Sequence, residues 1–568
     1  NLDSRGFRGH SVQADGTYDD TVPEWLQGRL IWEANDDVVA HLKASGHLVY
    51  SNRFMHSYPH DWRSGSPVIF RATEQWFVAV DAPMKRGGMT LRNAALAATE
   101  EGVEFIPKWG RNRFRGMLES RPDWCLSRQR AWGLPIPAFK RPDGTMFMTA
   151  ACARAIAKVF RDKGSDAWFT CSPTELLADF DAPADLDIST LEKMYDIFDV
   201  WFESGSSWNA VMNERGVGTP SELYLEGSDQ HRGWFQLSLL PSLGATGEPP
   251  YKRLLTHGFM VDKNGKKMSK SKGNAIGVED LLKDFGADVC RWWVSSLAYE
   301  NDVKVDLDYF NVAGDAYRKI RNTLRFLLGN LADFSPETDA VAAVDPMSID
   351  GWALAEAVRF EQAIRLHYTR FELREANAAI YELCNDMLSA VYLVAVKDRL
   401  YCDRADSPRR RQTQTVMHHL AELLCRVLEP IVPHTADEAY RSLHGEDAVL
   451  QTSAPLDLSY ECDHDWTPVM IMRQAAMKAI EEAKARGIEN PLDAGLVIPD
   501  PEGTFLRFEE EFADLCGVSR ARCVASIGEV EVEDLREEPR CERSRKRDST
   551  VKDRAGVLLS DRDFAAIS

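Results

Sequence analysis

Lysine is the residue type whose placement in this chain is least even. Of 21 lysines in 568 residues, five (Lys263, Lys266, Lys267, Lys270 and Lys272) fall within ten consecutive positions. Four of them lie in Gly265-Lys-Lys-Met-Ser-Lys-Ser-Lys-Gly-Asn274, where two glycines free the backbone and Ser269 and Ser271 offer hydroxyls. Lys267 and Lys270 are three positions apart, so a tight turn aims both ammoniums at one polyphosphate. The segment is not a Walker A loop, because Gly-x4-Gly-Lys-Ser/Thr is absent. Taken alone, such a cluster is more simply a solvated basic turn. Its neighbourhood argues for chemistry.

That neighbourhood is Tyr224-Leu-Glu-Gly-Ser-Asp-Gln-His-Arg-Gly-Trp-Phe235. The pattern predicts a strand ending in Glu226 and Gly227, with a helix starting under Asp229 and Gln230. A glycine at the strand end lets a nucleotide approach the backbone, and the carboxylates and amide can hold an ammonium and ribose hydroxyls. Asp229 serves equally well as a charge at a helix N-terminus.

These residues need elements to position them. From Asp199 to Trp293, strand-like runs at Val200–Phe202, Tyr224–Leu225 and Leu254–Leu255 alternate with helix-like segments opening near Ser228 and Val278, the pattern of a parallel α/β sheet. Ligands in such sheets sit at the carboxyl ends of strands. Residues 1 to about 118 read as mixed α/β, with strands at His47–Tyr50, Val68–Phe70 and around Gln75–Val80, and a helix at Leu91–Ala98. Beyond Asp315 the spacing becomes helical. Ala376, Ile380, Leu383, Met387, Val391 and Val394 share one face, and Val416, Leu420, Leu423 and Val427 share another that stops before Pro430. A third helix opens at Thr435 with Glu438 in capping-box spacing and closes near Gly445. Together these predict a helical bundle, followed by a strand-and-helix tail that holds the basic run Arg540–Arg547.

A length of 568 residues predicts about three to five domains. Apolar residues at 44% and charged residues at 27% exclude collagen-like and largely disordered classes. No run approaches a membrane span, and the first residues show no signal peptide. Eleven cysteines without a single Cys-x-x-Cys pair suit reduced thiols in a cytoplasm. The net charge of −20 repels nucleic acid overall, so any phosphate-binding surface is local. The chain begins on Asn1, which reads as a fragment or a processed product.

The segment Lys267-Met-Ser-Lys-Ser271 is identical to the second signature of class I aminoacyl-tRNA synthetases, and Leu225–Phe235 resembles the isoleucine-specific form of the block before it. Further matches to the bacterial-type isoleucyl-tRNA synthetase family are His56-Ser-Tyr-Pro-His60, Arg71-Ala-Thr-Glu-Gln-Trp-Phe77, Pro122-Asp-Trp-Cys-Leu-Ser-Arg-Gln-Arg130 and Asp199-Val-Trp-Phe-Glu-Ser-Gly-Ser-Ser207. The resemblance implies a multidomain α/β plus all-α chain. Residues 1–118 are then the far end of the inserted editing domain with the return to the catalytic sheet, and 119–300 the second half of a Rossmann-like catalytic domain. Residues 301–345 connect it to a helical anticodon-binding bundle at 346–465, and 466–568 form a small α+β tRNA-contacting region.

Carried over by position, Glu226 resembles the residue that binds the amino group of isoleucyl-adenylate, and Gly227, Asp229 and Gln230 its ribose contacts. Trp234 and Trp201 resemble walls of the isoleucine pocket, with plain core packing as the alternative for each tryptophan. His257, Gly258 and Phe259 match the strand end beside adenine. Lys267 and Lys270, with Ser269 and Ser271, match the loop on the ATP phosphates. The implied substrates are isoleucine, ATP with Mg2+, and tRNA(Ile), handled by a cytoplasmic monomer that meets no membrane.

Three departures stand against the family pattern. The first signature, His-x-Gly-His, is found at none of the thirteen histidines, so the chain alone is expected to be inactive. The catalytic part of the editing domain is also absent from these 568 residues. Where many members carry two Cys-x-x-Cys pairs near the C-terminus, this chain has Cys541-Glu-Arg-Ser544 and Ser560-Asp-Arg-Asp563, so no structural zinc is expected. That module is then expected to hold by packing of Val557, Leu558, Leu559, Phe564 and Ile567, or to stay loosely ordered until it meets RNA. Two other readings remain: a truncated paralogue that binds tRNA or adenylate without catalysis, and a valine-specific ligase.

Overall fold

The computed structural model describes residues 11–61, 64–71, 73–130, 132–268, 274, 276–450, 460, 462 and 464–568. They form two compact units, Asn1–Tyr224 with Asp229–Leu254, and Leu225–Ser228 with Leu255–Ser568.

In the first unit, helices Leu91–Glu101, Trp109–Glu119 and Trp234–Thr246 share a core of Ala95, Phe105, Phe114, Leu118, Phe235 and Leu239. The Thr90 side chain caps the first of them by accepting from the Asn93 amide. Helix Trp234–Thr246 buries Phe235, Leu237, Leu239, Leu240 and Leu243 together with Gln236, Ser238 and Ser242, so it is enclosed on nearly every side. A second core, around Phe139, Cys152, Ile156, Trp168 and Leu191, sits under a small antiparallel sheet whose middle strand is Phe139–Lys140.

Several short expectations fail in this unit. His47–Tyr50 and Val68–Phe70 are not strands, and Val49, Tyr50 and Phe70 are exposed. Gln75–Val80 contracts to the strand Phe77–Val78, paired antiparallel with Trp124–Cys125. Val200–Phe202 belongs to helix Val200–Gly205. Three apolar residues carry no period of their own, and here packing decides. The helix approaches helix Trp234–Thr246 so closely that a Cβ on Gly205 would lie 1.8 Å from the Leu237 carbonyl oxygen.

In the second unit, helices Ile349–Thr369, Leu373–Glu382, Pro408–Leu428 and Pro433–His444 bury one extended core with the tail that follows. Val416, Leu420, Leu423 and Val427 are all buried, and their helix ends at Leu428, ahead of Pro430. The helix after Phe371 behaves otherwise. Ala376, Ile380 and Leu383 are buried, after which the buried positions become Cys384, Leu388 and Tyr392, while Val394 is exposed. Residues Leu383–Tyr392 are π-helical, and the wider turn carries the core face on every fourth residue. Among the described residues, Leu373–Ala395 is also the one helical run long and apolar enough by composition to cross a membrane. In this fold its Ile380, Cys384 and Leu388 lie in the bundle core, and its Tyr392 hydroxyl donates to buried Asp350.

Thr435 is not a cap. It is the third residue of helix Pro433–His444, and its amide and hydroxyl both donate to Asp288 Oδ2, at 2.7 and 2.6 Å. The tail pairs strand Ala494–Pro499 in parallel with Arg520–Val524 and antiparallel with Glu531–Asp534. Arg399, fully buried, ties bundle to tail through Asp350 at 3.1 Å, Glu511 at 3.3 Å and Asp514 at 2.8 Å.

Candidate functional site

Strands Tyr224–Gly227 and Arg253–His257 are neighbours in one sheet. The Ser221–Tyr251 bridge just ahead of these two strands is parallel, so Gly227 and His257 end neighbouring strands at the same edge. That edge is where an α/β sheet receives ligands.

In the second unit, Glu226 is exposed and its Oε2 accepts from the amide of Gly227, which is itself buried. The His257 ring places Nδ1 2.7 Å from the Gly258 carbonyl oxygen, a geometry that puts the proton on Nδ1. Gly258 donates its amide to the Tyr299 carbonyl at 2.8 Å, and a Cβ there would stand 2.1 Å from the carbonyl carbon of Asn301. Only glycine permits that approach. Phe259 donates its amide to Asp302 Oδ1 at 2.8 Å and leaves its ring partly exposed, and Met260–Val261 then pairs in parallel with Val303–Lys304.

Both ends of the lysine loop are fastened by one side chain. Asp262 Oδ1 accepts from the amides of Asn264 and Lys266, each at 2.9 Å, and Oδ2 accepts from Asn274 Nδ2 at 2.9 Å. Asn274 Nδ2 also reaches the Lys267 carbonyl at 3.3 Å. The hydrogen bonds from Asn274 and Lys266 hold the Asp262 carboxyl below the usual carboxylate range. Lys263, Lys266 and Lys267 are exposed, and among the described residues none of the three forms an ion pair. Ser269, Lys270, Ser271 and Lys272 lie outside the described residues.

In the first unit, the helix expected under Asp229 begins later, at Trp234, and Ser228–His231 is a 3-10 turn. Arg232 and Gly233 separate the two, and Gln230 Oε1 accepts the Trp234 amide at 2.9 Å in the manner of a cap. A Cβ on Gly233 would stand 2.5 Å from Gln230 Oε1 and 3.3 Å from the Trp201 ring, so the glycine lets Gln230 and Trp201 come together. The Trp234 indole stacks on Tyr224 with centroids 4.2 Å apart, and its Nε1 donates to the Ser204 carbonyl at 3.0 Å. Trp201 stays 37% exposed and Trp234 half-buried, so neither ring is wholly consumed by the core. Asp229 is exposed and accepts from Gln230 Nε2 at 3.2 Å.

Behind this group, buried Asp199 accepts from Trp124 Nε1 at 3.0 Å and pairs with Arg128 at 3.2 Å, joining two segments singled out by their sequence. The roles of Asp262, Asn274 and Asp302 escaped sequence reasoning. The Asp262-Lys-Asn-Gly265 string is a turn signature and was the available signal for the first.

Against known proteins, residues 12–306 match the family described as tRNA synthetases class I (I, L, M and V), and residues 350–493 match the anticodon-binding domain of tRNA ligase. Among curated relatives, the isoleucine–tRNA ligase of Xylella fastidiosa is 40% identical over 513 residues, covering 88% of this chain and 53% of that protein. The isoleucine–tRNA ligase of Petrotoga mobilis is 39% identical over 526 residues, 90% of this chain and 56% of that protein. That of Brevibacillus brevis is 38% identical over 556 residues, 94% and 59%. The chain thus spans little more than half the length of the curated relatives it matches.

Proposed function

The chain belongs to the class I tRNA synthetases of the isoleucine, leucine, methionine and valine group, and from that premise we propose that it is part of an isoleucine–tRNA ligase, carrying the second half of the activation site and the anticodon-binding bundle. The observation that carries the reading is the group around Gly233: Gln230, Trp201 and Trp234 converge there, on the turn that leaves a strand ending in Glu226 and Gly227.

On this reading the isoleucine carboxylate attacks the α-phosphorus of Mg-ATP, the bond to the β-phosphate oxygen breaks, and pyrophosphate leaves. The adenylate then gives its acyl group to the terminal adenosine of tRNA(Ile), releasing AMP. Glu226 holds the substrate ammonium, and Gly227, Asp229 and Gln230 hold the ribose. Trp234 and Trp201 flank the branched side chain. His257, Gly258 and Phe259 face adenine. Lys267 and Lys270, with Ser269 and Ser271, hold the phosphates, where negative charge accumulates on the departing pyrophosphate. Positioning and charge stabilisation do the work, since the protein supplies no covalent step. Five parts share the task, at 1–118, 119–300, 301–345, 346–465 and 466–568. All eleven cysteines are free thiols, which supports a reducing, cytoplasmic setting, and the ligase works there as a monomer.

Because His-x-Gly-His is found nowhere in the sequence, the chain by itself activates isoleucine slowly. Amino-acid-dependent pyrophosphate exchange tests both statements, on this chain alone and on a longer form that includes a His-x-Gly-His segment. Slow exchange is expected from the first, and exchange with isoleucine in preference to valine from the second. Fast exchange by the chain alone overturns the claim of slowness. Preference for valine overturns the isoleucine assignment. Absence of exchange from both forms favours a protein that binds tRNA or adenylate without catalysis.

A further inference from the structure

Near the C-terminus, two four-residue segments, Cys541-Glu-Arg-Ser544 and Ser560-Asp-Arg-Asp563, close on each other around one carboxylate. Asp563 is fully buried. Its Oδ2 accepts from Cys541 Sγ at 2.8 Å and from Ser544 Oγ at 2.6 Å, and its Oδ1 accepts from Arg562 Nη2 at 2.8 Å and Nε at 3.1 Å. The Asp563 amide donates to Ser560 Oγ at 3.1 Å. The first segment is a tight knuckle closed by Arg545 in the left-handed region, at φ 63°, with the Arg545 amide donating to the Cys541 carbonyl at 3.0 Å.

Opposed knuckles of this kind are where the resembled family implies zinc, and the donors here do not fit that ion. Tetrahedral structural zinc draws on thiolates and imidazoles, whereas this centre offers one thiol, two hydroxyls and one carboxylate. Both carboxylate oxygens already receive S–H, O–H and N–H donors, so a cation at the centre would meet protons instead of lone pairs.

Packing does not close the module either. Its apolar cluster is only Cys541, Val551 and Leu559, and four of the five residues expected to form its core are exposed: Val557 at 40%, Leu558 at 41%, Phe564 at 40% and Ile567 at 54%. What remains is charge. Arg562 stands between two carboxylates, the fully buried Asp563 and the partly buried Asp398, reaching Asp398 at 2.5 and 3.1 Å. Asp398 belongs to the bundle helix Lys397–Cys402 and also receives Lys546 at 3.1 Å. Arg543 donates to the carbonyls of Tyr401 and Cys402, at 3.1 and 3.2 Å, at the end of that same helix.

We propose that Asp563, not a metal ion, closes the C-terminal module, and that Arg562 staples this carboxylate to Asp398 so that the module is seated on the anticodon-type bundle without metal. The inference is independent of the amino acid the protein handles. Its consequence is an inversion of what a metal site requires. Cys541 acts as a neutral hydrogen-bond donor, which serine can replace, while Asp563 and Asp398 are indispensable.

The test uses the full 568-residue chain, purified without a metal-binding tag and dialysed against a chelator. Elemental analysis is expected to find far less than one equivalent of zinc. Hydrogen exchange across residues 541–565 is expected to match the parent in Cys541→Ser. It is expected to accelerate about tenfold or more in Asp563→Ala and in the milder Asp398→Asn, the bundle helices staying protected. Chelator-resistant, stoichiometric zinc that disappears in Cys541→Ser overturns the proposal. So does parent-like protection of this region in Asp398→Asn, and this second variant decides the matter if Asp563→Ala fails to fold.

Discussion

Five basic residues lie between positions 540 and 547, and five lysines lie between 263 and 272. In the first set Lys546 meets Asp398 and Asp514, Arg547 meets Asp493 at 2.8 Å, and Arg543 is spent on backbone carbonyls. In the second set the described lysines, Lys263, Lys266 and Lys267, face solvent. The one carboxylate built into that loop, Asp262, is occupied by backbone amides and by Asn274. The two strings look alike in sequence. Partners distant in sequence separate them. In the C-terminal run Lys546 and Arg547 are paired with carboxylates distant in sequence, whereas the described lysines of the loop keep their ammoniums available on a chain whose net charge is −20.

That contrast is broken or sharpened first at Asp398. Burial pushes its carboxyl up, but Arg562 and Lys546 outweigh burial and hold it well below the usual carboxylate range. Replacing it by alanine removes the partner that Arg562 and Lys546 share, leaving Arg562 on Asp563 and Lys546 on Asp514, and is expected to cost about 3 kcal/mol in urea unfolding, the low end for a broken part-buried pair. A loss below about 1 kcal/mol would mean that the pairing is superficial. The sign of the pH dependence follows from the depressed value. The contribution is present in full above the unfolded carboxyl's range, near pH 4, and is lost as pH falls through the lower folded value. Asp398→Asn should therefore flatten the acid limb of the Tm profile.

The next effect is kinetic. In a longer form able to make adenylate, Lys270→Ala is expected to slow isoleucine activation by on the order of 100-fold, about 3 kcal/mol of transition-state charge stabilisation. Its effect on unfolding free energy should stay within about 0.5 kcal/mol. A change below about threefold would place Lys270 among the solvated bystanders. Trp234→Ala comes third, with an isoleucine KM raised about tenfold and the ATP KM largely spared. Equal effects on both substrates would assign Trp234 to packing on Tyr224 alone. The smallest effect is expected from Arg545→Ala in the C-terminal basic run. Its side chain is exposed, so stability should move by no more than about 0.5 kcal/mol.

What the sequence made legible follows the range over which each signal acts. The helix with Val416, Leu420, Leu423 and Val427 was readable because four positions over about three turns report one face, and Pro430 marks the stop. The strand end at Glu226 and Gly227 was readable from residue types within a dozen positions. Val200–Phe202 was misread because three apolar residues fit either period, and the close crossing at Gly205 settles the matter from outside the segment. The face of the helix after Phe371 drifted because a π-turn is a backbone choice that 3.6-residue counting does not contain. The C-terminal module was expected to rest on Val557, Leu558, Leu559, Phe564 and Ile567, yet only Leu559 is buried. Its real support, Asp398, lies 164 residues from Arg562.

Calorimetric titration of this chain with isoleucyl- and valyl-sulfamoyl adenosine, stable mimics of the two adenylates, tests the central claim most directly. The isoleucyl compound is expected to bind at least about tenfold more tightly, the worth of one methylene in a fitted apolar pocket. Glu226→Gln is expected to weaken both compounds alike, since both present the same ammonium. Equal affinity for the two compounds, or binding indifferent to Glu226, would contradict that claim.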